Sequence, residues 1–183
     1  MSAGPDRRRA EAALTPSTGG VKPSGQTMGL FDDLRDLYQE VILDHGRKPR
    51  NFRRLEDATA TARGDNPMCG DRIELFIKRA PDGTIADAAF QGRGCAISTA
   101  SASLMTETVK GKTAAQAMDL GAKFRELAMT GACPDCGAEL ADEMERLAPL
   151  SGVHEFPSRV KCATLAWHTL NAALDGTKEA SSE

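Results

Sequence analysis

Aromatic side chains are scarce: six Phe, one Trp and one Tyr make up 4 % of the 183 residues. A core must therefore rely on Leu, Ile, Val, Met and Ala. No apolar run approaches the roughly 20 residues needed to cross a bilayer, which excludes a helical membrane span. An excess of positive charge is missing as well. With 23 Lys and Arg against 26 Asp and Glu, the net charge of -3 argues against a nucleic-acid binder. The five cysteines are an odd number, and no apolar secretory leader precedes them. Both facts argue against a disulfide framework and for reduced thiols in a cytoplasmic compartment. Repeats, heptads, phosphate loops and base–nucleophile pairs are also absent, so nothing marks a self-sufficient enzyme.

What is present suits one globular domain, with 40 % hydrophobic and 27 % charged residues. Residues 1–28 are rich in Ala, Ser, Thr, Gly and Pro and read as a disordered extension. Its Arg7-Arg8-Arg9 run would suit a transit segment, but Asp6 and Glu11 do not. Met28 sits directly before the first amphipathic stretch, so either Met28 is the true start or the preceding stretch is an extension without a structural role. Residues 29–175 then read as the domain and 176–183 as a disordered tail.

Leu34, Leu37, Tyr38, Val41 and Ile42 share one helical face, which Gly46 and Pro49 end. A strand is expected over Ala58–Arg63, followed by a loop from Gly64 to Gly70. Arg72–Arg79 alternates with Ile73, Leu75 and Ile77 on one side, and Pro81-Asp82-Gly83 turns the chain into a second hairpin arm, Ile85–Gln91. Helices are expected from Cys95 to Lys110, Ala114 to Met129, Glu139 to Leu147 and Pro157 to Leu174. Strands first and helices afterwards give an α+β class, with a small antiparallel three-stranded sheet carrying helices.

Three cysteines fall at element edges. Cys69 lies in the Gly/Asn/Pro loop with Asp71 two residues on, Cys95 opens a helix, and Cys162 lies in the first turns of the last one. Helix N-termini favour thiolate over thiol, the form that binds metal and attacks sulfur. Three thiolates and a carboxylate satisfy the four-coordinate preference of zinc. Soft sulfur ligands suit an iron–sulfur cluster equally, and a carboxylate in the fourth place should make such a cluster easy to release. No local spacing rule forces these residues together, and isolated cysteines also serve as small buried hydrophobes.

The wording of the motifs goes further. Asp44-His45 with Lys48-Pro49-Arg50-Asn51, Gly64-Asp65-Asn66-Pro67-Met68-Cys69-Gly70-Asp71, Gly92-Arg93-Gly94-Cys95-Ala96-Ile97-Ser98 and Arg159-Val160-Lys161-Cys162 resemble the IscU/NifU-N family of iron–sulfur assembly proteins. Lys161 stands where IscU scaffolds carry histidine, and the stretch between the second and third cysteines is long, so the chain looks like the SufU branch. The resemblance implies a zinc site of Cys69, Asp71, Cys95 and Cys162. It also implies a PLP-dependent, SufS-like cysteine desulfurase as partner, with Cys69 passing sulfur onward to an iron–sulfur scaffold or acceptor protein. Turnover would then belong to the partner, and this chain would be a sulfurtransferase-like second substrate. Arg159, one turn before Cys162, would steady the anionic site. Two other readings use the same ligands: a scaffold on which a transient iron–sulfur cluster is built, and a protein whose zinc is structural only.

Cys133-Pro134-Asp135-Cys136 lies outside these motifs. Without a second C-x-x-C it cannot form a four-cysteine zinc knuckle, and it reads as a tight turn with two incidental thiols. His45 reads as a cationic cap at the end of the first helix. Trp167 and the methionines of the middle helices read as core.

Overall fold

The computed structural model describes residues 26–182, with side chains from Asp32 onward. The Arg7–Arg9 run and most of the expected extension lie outside the described residues. Helix α1 (Gln26–Arg47) opens three positions before the expected boundary. A meander follows: β1 (Ala60–Asn66), β2 (Asp71–Arg79) and β3 (Ile85–Arg93), each antiparallel to its neighbour. Then come α2 (Ala96–Thr108), α3 (Ala114–Thr130), α4 (Ala141–Leu147), a 3₁₀ stretch Ala148–Glu155 and the long α5 (Pro157–Asp175). Among the described residues no helix is long and apolar enough to cross a membrane.

The α+β class stands, but the sheet has four strands in the order β3-β2-β1-β4, not three. β4 (Glu179–Ser181) runs parallel to β1, where a disordered tail was expected. Gly176 closes α5 at φ 79°, a left-handed conformation that suits glycine, and turns the chain back toward the sheet. The N–H of Arg63 then donates to the carbonyl of Lys178 at 2.8 Å. Three residues are too few to show a period-2 pattern. β1 also outruns its expected end, because Gly64–Asn66 keep pairing with Asp71–Ile73. A Cβ on Gly64 would collide with Thr169 Oγ1, so a turn-like residue here serves close packing of α5 on the sheet.

Alternation on β2 sends Ile73, Leu75 and Ile77 into the main core beneath α2 and α5, while Phe76 faces a small second cluster with Leu55 and Ala89. Trp167 is fully buried and stacks on Phe124 with centroids 4.8 Å apart. α2 is rich in Ala and Ser, so α5 can approach it closely. Its buried Ser101 is satisfied at that contact: Oγ donates to the carbonyl of Ala163 at 2.6 Å and accepts from Trp167 Nε1 at 3.3 Å. This packing sets the start of α2 beside the first half of α5. Of the middle-helix methionines Met105 is core, but Met129 is 68 % exposed. α1 is only half docked: Tyr38, Val41 and Ile42 are partly buried, while Leu34 and Leu37 stay exposed.

Candidate metal centre

The turn between β1 and β2 holds the first thiol. Asn66 pairs with Asp71 across the ladder, leaving Pro67-Met68-Cys69-Gly70 as a four-residue link. Gly70 takes φ 71°, and its N–H donates to the carbonyl of Asn66 at 2.8 Å. Cys69 is therefore presented at the tip, exposed. Asp71, as the first residue of β2, is buried with 1 % exposure.

Asp71 is held by neutral donors. The N–H of Cys95 donates to Oδ1 at 2.9 Å, and Asn66 Nδ2 donates to Oδ2 at 3.2 Å. A Cβ on Gly94 would sit 2.9 Å from Oδ1, so the glycine before Cys95 clears space for that carboxylate. Cys95 is the N-cap of α2, and its Sγ accepts from the N–H of Ser98 at 3.4 Å. Cys162, on α5, is buried. Its Sγ accepts from Asn66 Nδ2 at 3.4 Å and donates to Cys69 Sγ at 3.2 Å. Burial, ahead of the hydrogen bonds to Asp71 and Cys69, pushes the Cys162 thiol well up. The helix terminus was expected to favour its thiolate, but six residues in, the low-polarity surroundings dominate.

Ligand atoms of Cys69, Asp71 and Cys162 all lie within 4.8 Å of one another. Cys95 borders the same cleft of about 590 Å³ but falls outside that closest group, its sulfur engaged as the helix cap. Two thiols, a buried carboxylate and a nearby third thiol form a donor set that fits a thiophilic four-coordinate metal. Asn66 Oδ1 and Ser98 Oγ are buried beside it without hydrogen-bond partners, which also suits a polar occupant. Arg159 lines the cleft with its guanidinium 4.2 Å from the centre of the Phe156 ring, stacked on the aromatic face.

Asn66 is the residue that motif reading passed over as part of a loop. Its signal was adjacency to Asp71 across a hairpin whose register the sequence does not show. Cys133 and Cys136 stay outside the site. They are joined as a disulfide between α3 and α4, not the two free thiols expected. Their Cα separation of 5.5 Å places both thiols within bonding reach. His45 is likewise not the cationic cap expected: it is buried, with Nδ1 2.8 Å from Ser103 Oγ, and burial lowers its pKa.

The model of the NifU-like N terminal domain matches residues 37–163, which spans the turn, strands β1 to β3 and all three free cysteines. The chain belongs to that family. Among family relatives, the zinc-dependent sulfurtransferase SufU of Bacillus subtilis is 43 % identical over 80 % of this chain and 95 % of its own length. The iron-sulfur cluster assembly scaffold protein IscU of Streptococcus pyogenes is 40 % identical over 77 % of this chain and 84 % of its own. In structure, an iron-sulfur cluster assembly scaffold protein for the SUF system from Fervidobacterium islandicum superposes with a TM-score of 0.67. It is 29 % identical and covers 76 % of this chain and 98 % of its own. The family assignment makes this an iron–sulfur cluster assembly protein of SufU-like type.

Proposed function

We propose that Cys69, Asp71, Cys95 and Cys162 hold one zinc ion, and that Cys69 accepts sulfane sulfur from the persulfide of a PLP-dependent cysteine desulfurase of SufS type. One observation carries the reading. Cys69 is exposed on a short turn, yet its sulfur lies 3.2 Å from that of buried Cys162. One ligand can therefore leave the site while the two buried ones, Asp71 and Cys162, stay in place. Bound zinc would keep the thiols deprotonated and order the turn.

In the transfer, the Cys69 thiolate attacks the terminal sulfur of the donor persulfide. A new S–S bond forms on Cys69, the donor S–S bond breaks, and the donor cysteine leaves as thiolate. Sulfur then passes to a downstream scaffold or acceptor protein by the same exchange. Arg159, on the rim of the cleft, supplies positive charge beside the persulfide anion. Similarity to the zinc-dependent sulfurtransferase SufU of Bacillus subtilis supports this reading, and so does Lys161 in the place before the last cysteine.

A second reading takes an iron–sulfur cluster as cargo on the same residues, in line with the scaffold names of other relatives. Mixing the zinc-loaded protein with the desulfurase, L-cysteine and a reductant separates the two. Strong stimulation of sulfide release that Cys69→Ala abolishes is the expected result. An inert zinc form, with an iron-reconstituted form that passes a cluster to an apo-acceptor, overturns it in favour of the scaffold.

A further inference from the structure

A separate cleft of about 410 Å³ opens between the end of α3, the 3₁₀ stretch, α5 and the residue after β4. Its polar lining is Arg125, His154, Lys161, His168, Thr164 and Ser182, and among the described residues no acid lines it. Arg125 is half-buried, and within the described residues neither it nor His168 has a hydrogen-bond or ion-pair partner. Ser182 is 8 % exposed, and its buried Oγ has no hydrogen-bond partner. The Nδ1–H of His154 donates to the carbonyl of Ser151 at 2.8 Å, so Nε2 is the nitrogen left for a ligand.

A buried hydroxyl without a partner is unusual in a folded protein, and the half-buried Arg125 beside it has no carboxylate among the described residues to balance its charge. Here the two share one cavity with two imidazoles, and burial together with the charge of Arg125 disfavours a proton on His168. Each of these deficits is relieved by the same kind of occupant, one that brings several acceptor oxygens and negative charge.

We propose that this cleft binds a phosphate-class oxyanion, held by Arg125 and Ser182 with His154 and His168 at its sides. A guanidinium fork presents paired N–H donors to two oxygens of such an ion, and the serine hydroxyl donates to a third. Met129 and Val160 add apolar wall, which leaves room for the organic part of a small phosphate monoester beside the anion. The site stands apart from the sulfur chemistry but abuts it. Lys161, also in its lining, has its ammonium 3.5 Å from Met68 Sδ, next to Cys69.

The test titrates the zinc-loaded full chain with inorganic phosphate and, separately, with glycerol 3-phosphate, each against sodium chloride at matched ionic strength. Proton NMR of the histidine rings is the readout. Saturable shifts of His168 and His154 with phosphate but not chloride are expected. Tighter binding of the ester would assign the apolar wall to its organic part, and equal affinity would assign the site to the bare ion. Arg125→Gln should weaken binding about ten-fold or more, as loss of a hydrogen bond to a charged group does, with zinc content unchanged. Ser182→Ala should weaken it less. Absence of saturation, shifts that chloride reproduces, or undiminished affinity in Arg125→Gln overturns the proposal.

Discussion

Asn66 Nδ2 donates to Cys162 Sγ across 3.4 Å although 96 positions separate the two residues. The same amide also holds Asp71 Oδ2, so one side chain ties the turn of the first hairpin to the last helix. Such outer contacts orient metal ligands, and their loss typically lowers metal affinity about 10–100-fold. Asn66→Ala should therefore keep the fold and bind zinc in that range more weakly. Competition against a chromophoric chelator measures it, and unchanged affinity would reduce Asn66 to a turn-packing role.

Gly64 faces Thr169 with no room for a methyl group. Gly64→Ala should cost about 1–3 kcal/mol of stability, the usual penalty for overpacking. Thr169→Ala removes the colliding oxygen, although the threonine Cβ that remains lies 3.3 Å away. The double variant should recover more than about 0.5 kcal/mol relative to additivity. Urea unfolding of the four proteins closes the cycle, and strictly additive losses would show that the sheet shifts to absorb the methyl.

Burial lowers the pKa of both His45 and His168 below the ordinary 6.5. As pH falls through that value the unfolded chain takes up protons before the folded one, so stability declines with falling pH. The decline starts near pH 6.5 and ends below the folded-state values, whereas above pH 6.5 the two histidines contribute no slope. Urea midpoints between pH 7.5 and 5 should fall accordingly and flatten in His45→Gln/His168→Gln. An equally steep fall in that double variant would move the effect to other groups.

The Cys133–Cys136 bridge lies outside the group of ligand atoms around Cys69. Cys133→Ser/Cys136→Ser should leave one zinc per chain and full sulfur acceptance. Metal analysis and desulfurase stimulation check both, and loss of either would tie the bridge to the site.

Local pattern carried much of this protein. Alternation through Ile73, Leu75 and Ile77, the glycine turn at residue 83 and the proline at the start of α5 are short-range signals, and the elements form where they point. The motif wording around Cys69, Cys95 and Cys162 was equally local, and it identified the family without any contact being known. Tertiary structure alone decided the rest. A three-residue β4 exists because Gly176 returns the chain to an open edge of β1. Gly64 belongs to a strand because it pairs with Ile73, and it is glycine because Thr169 packs against it. Asn66 matters because hairpin register sets it against Asp71 while α5 brings Cys162 to the same amide. Cys162 has a raised pKa because burial outweighs its place in the helix. Each of these depends on what lies opposite in space, and a sequence specifies only what lies next along the chain.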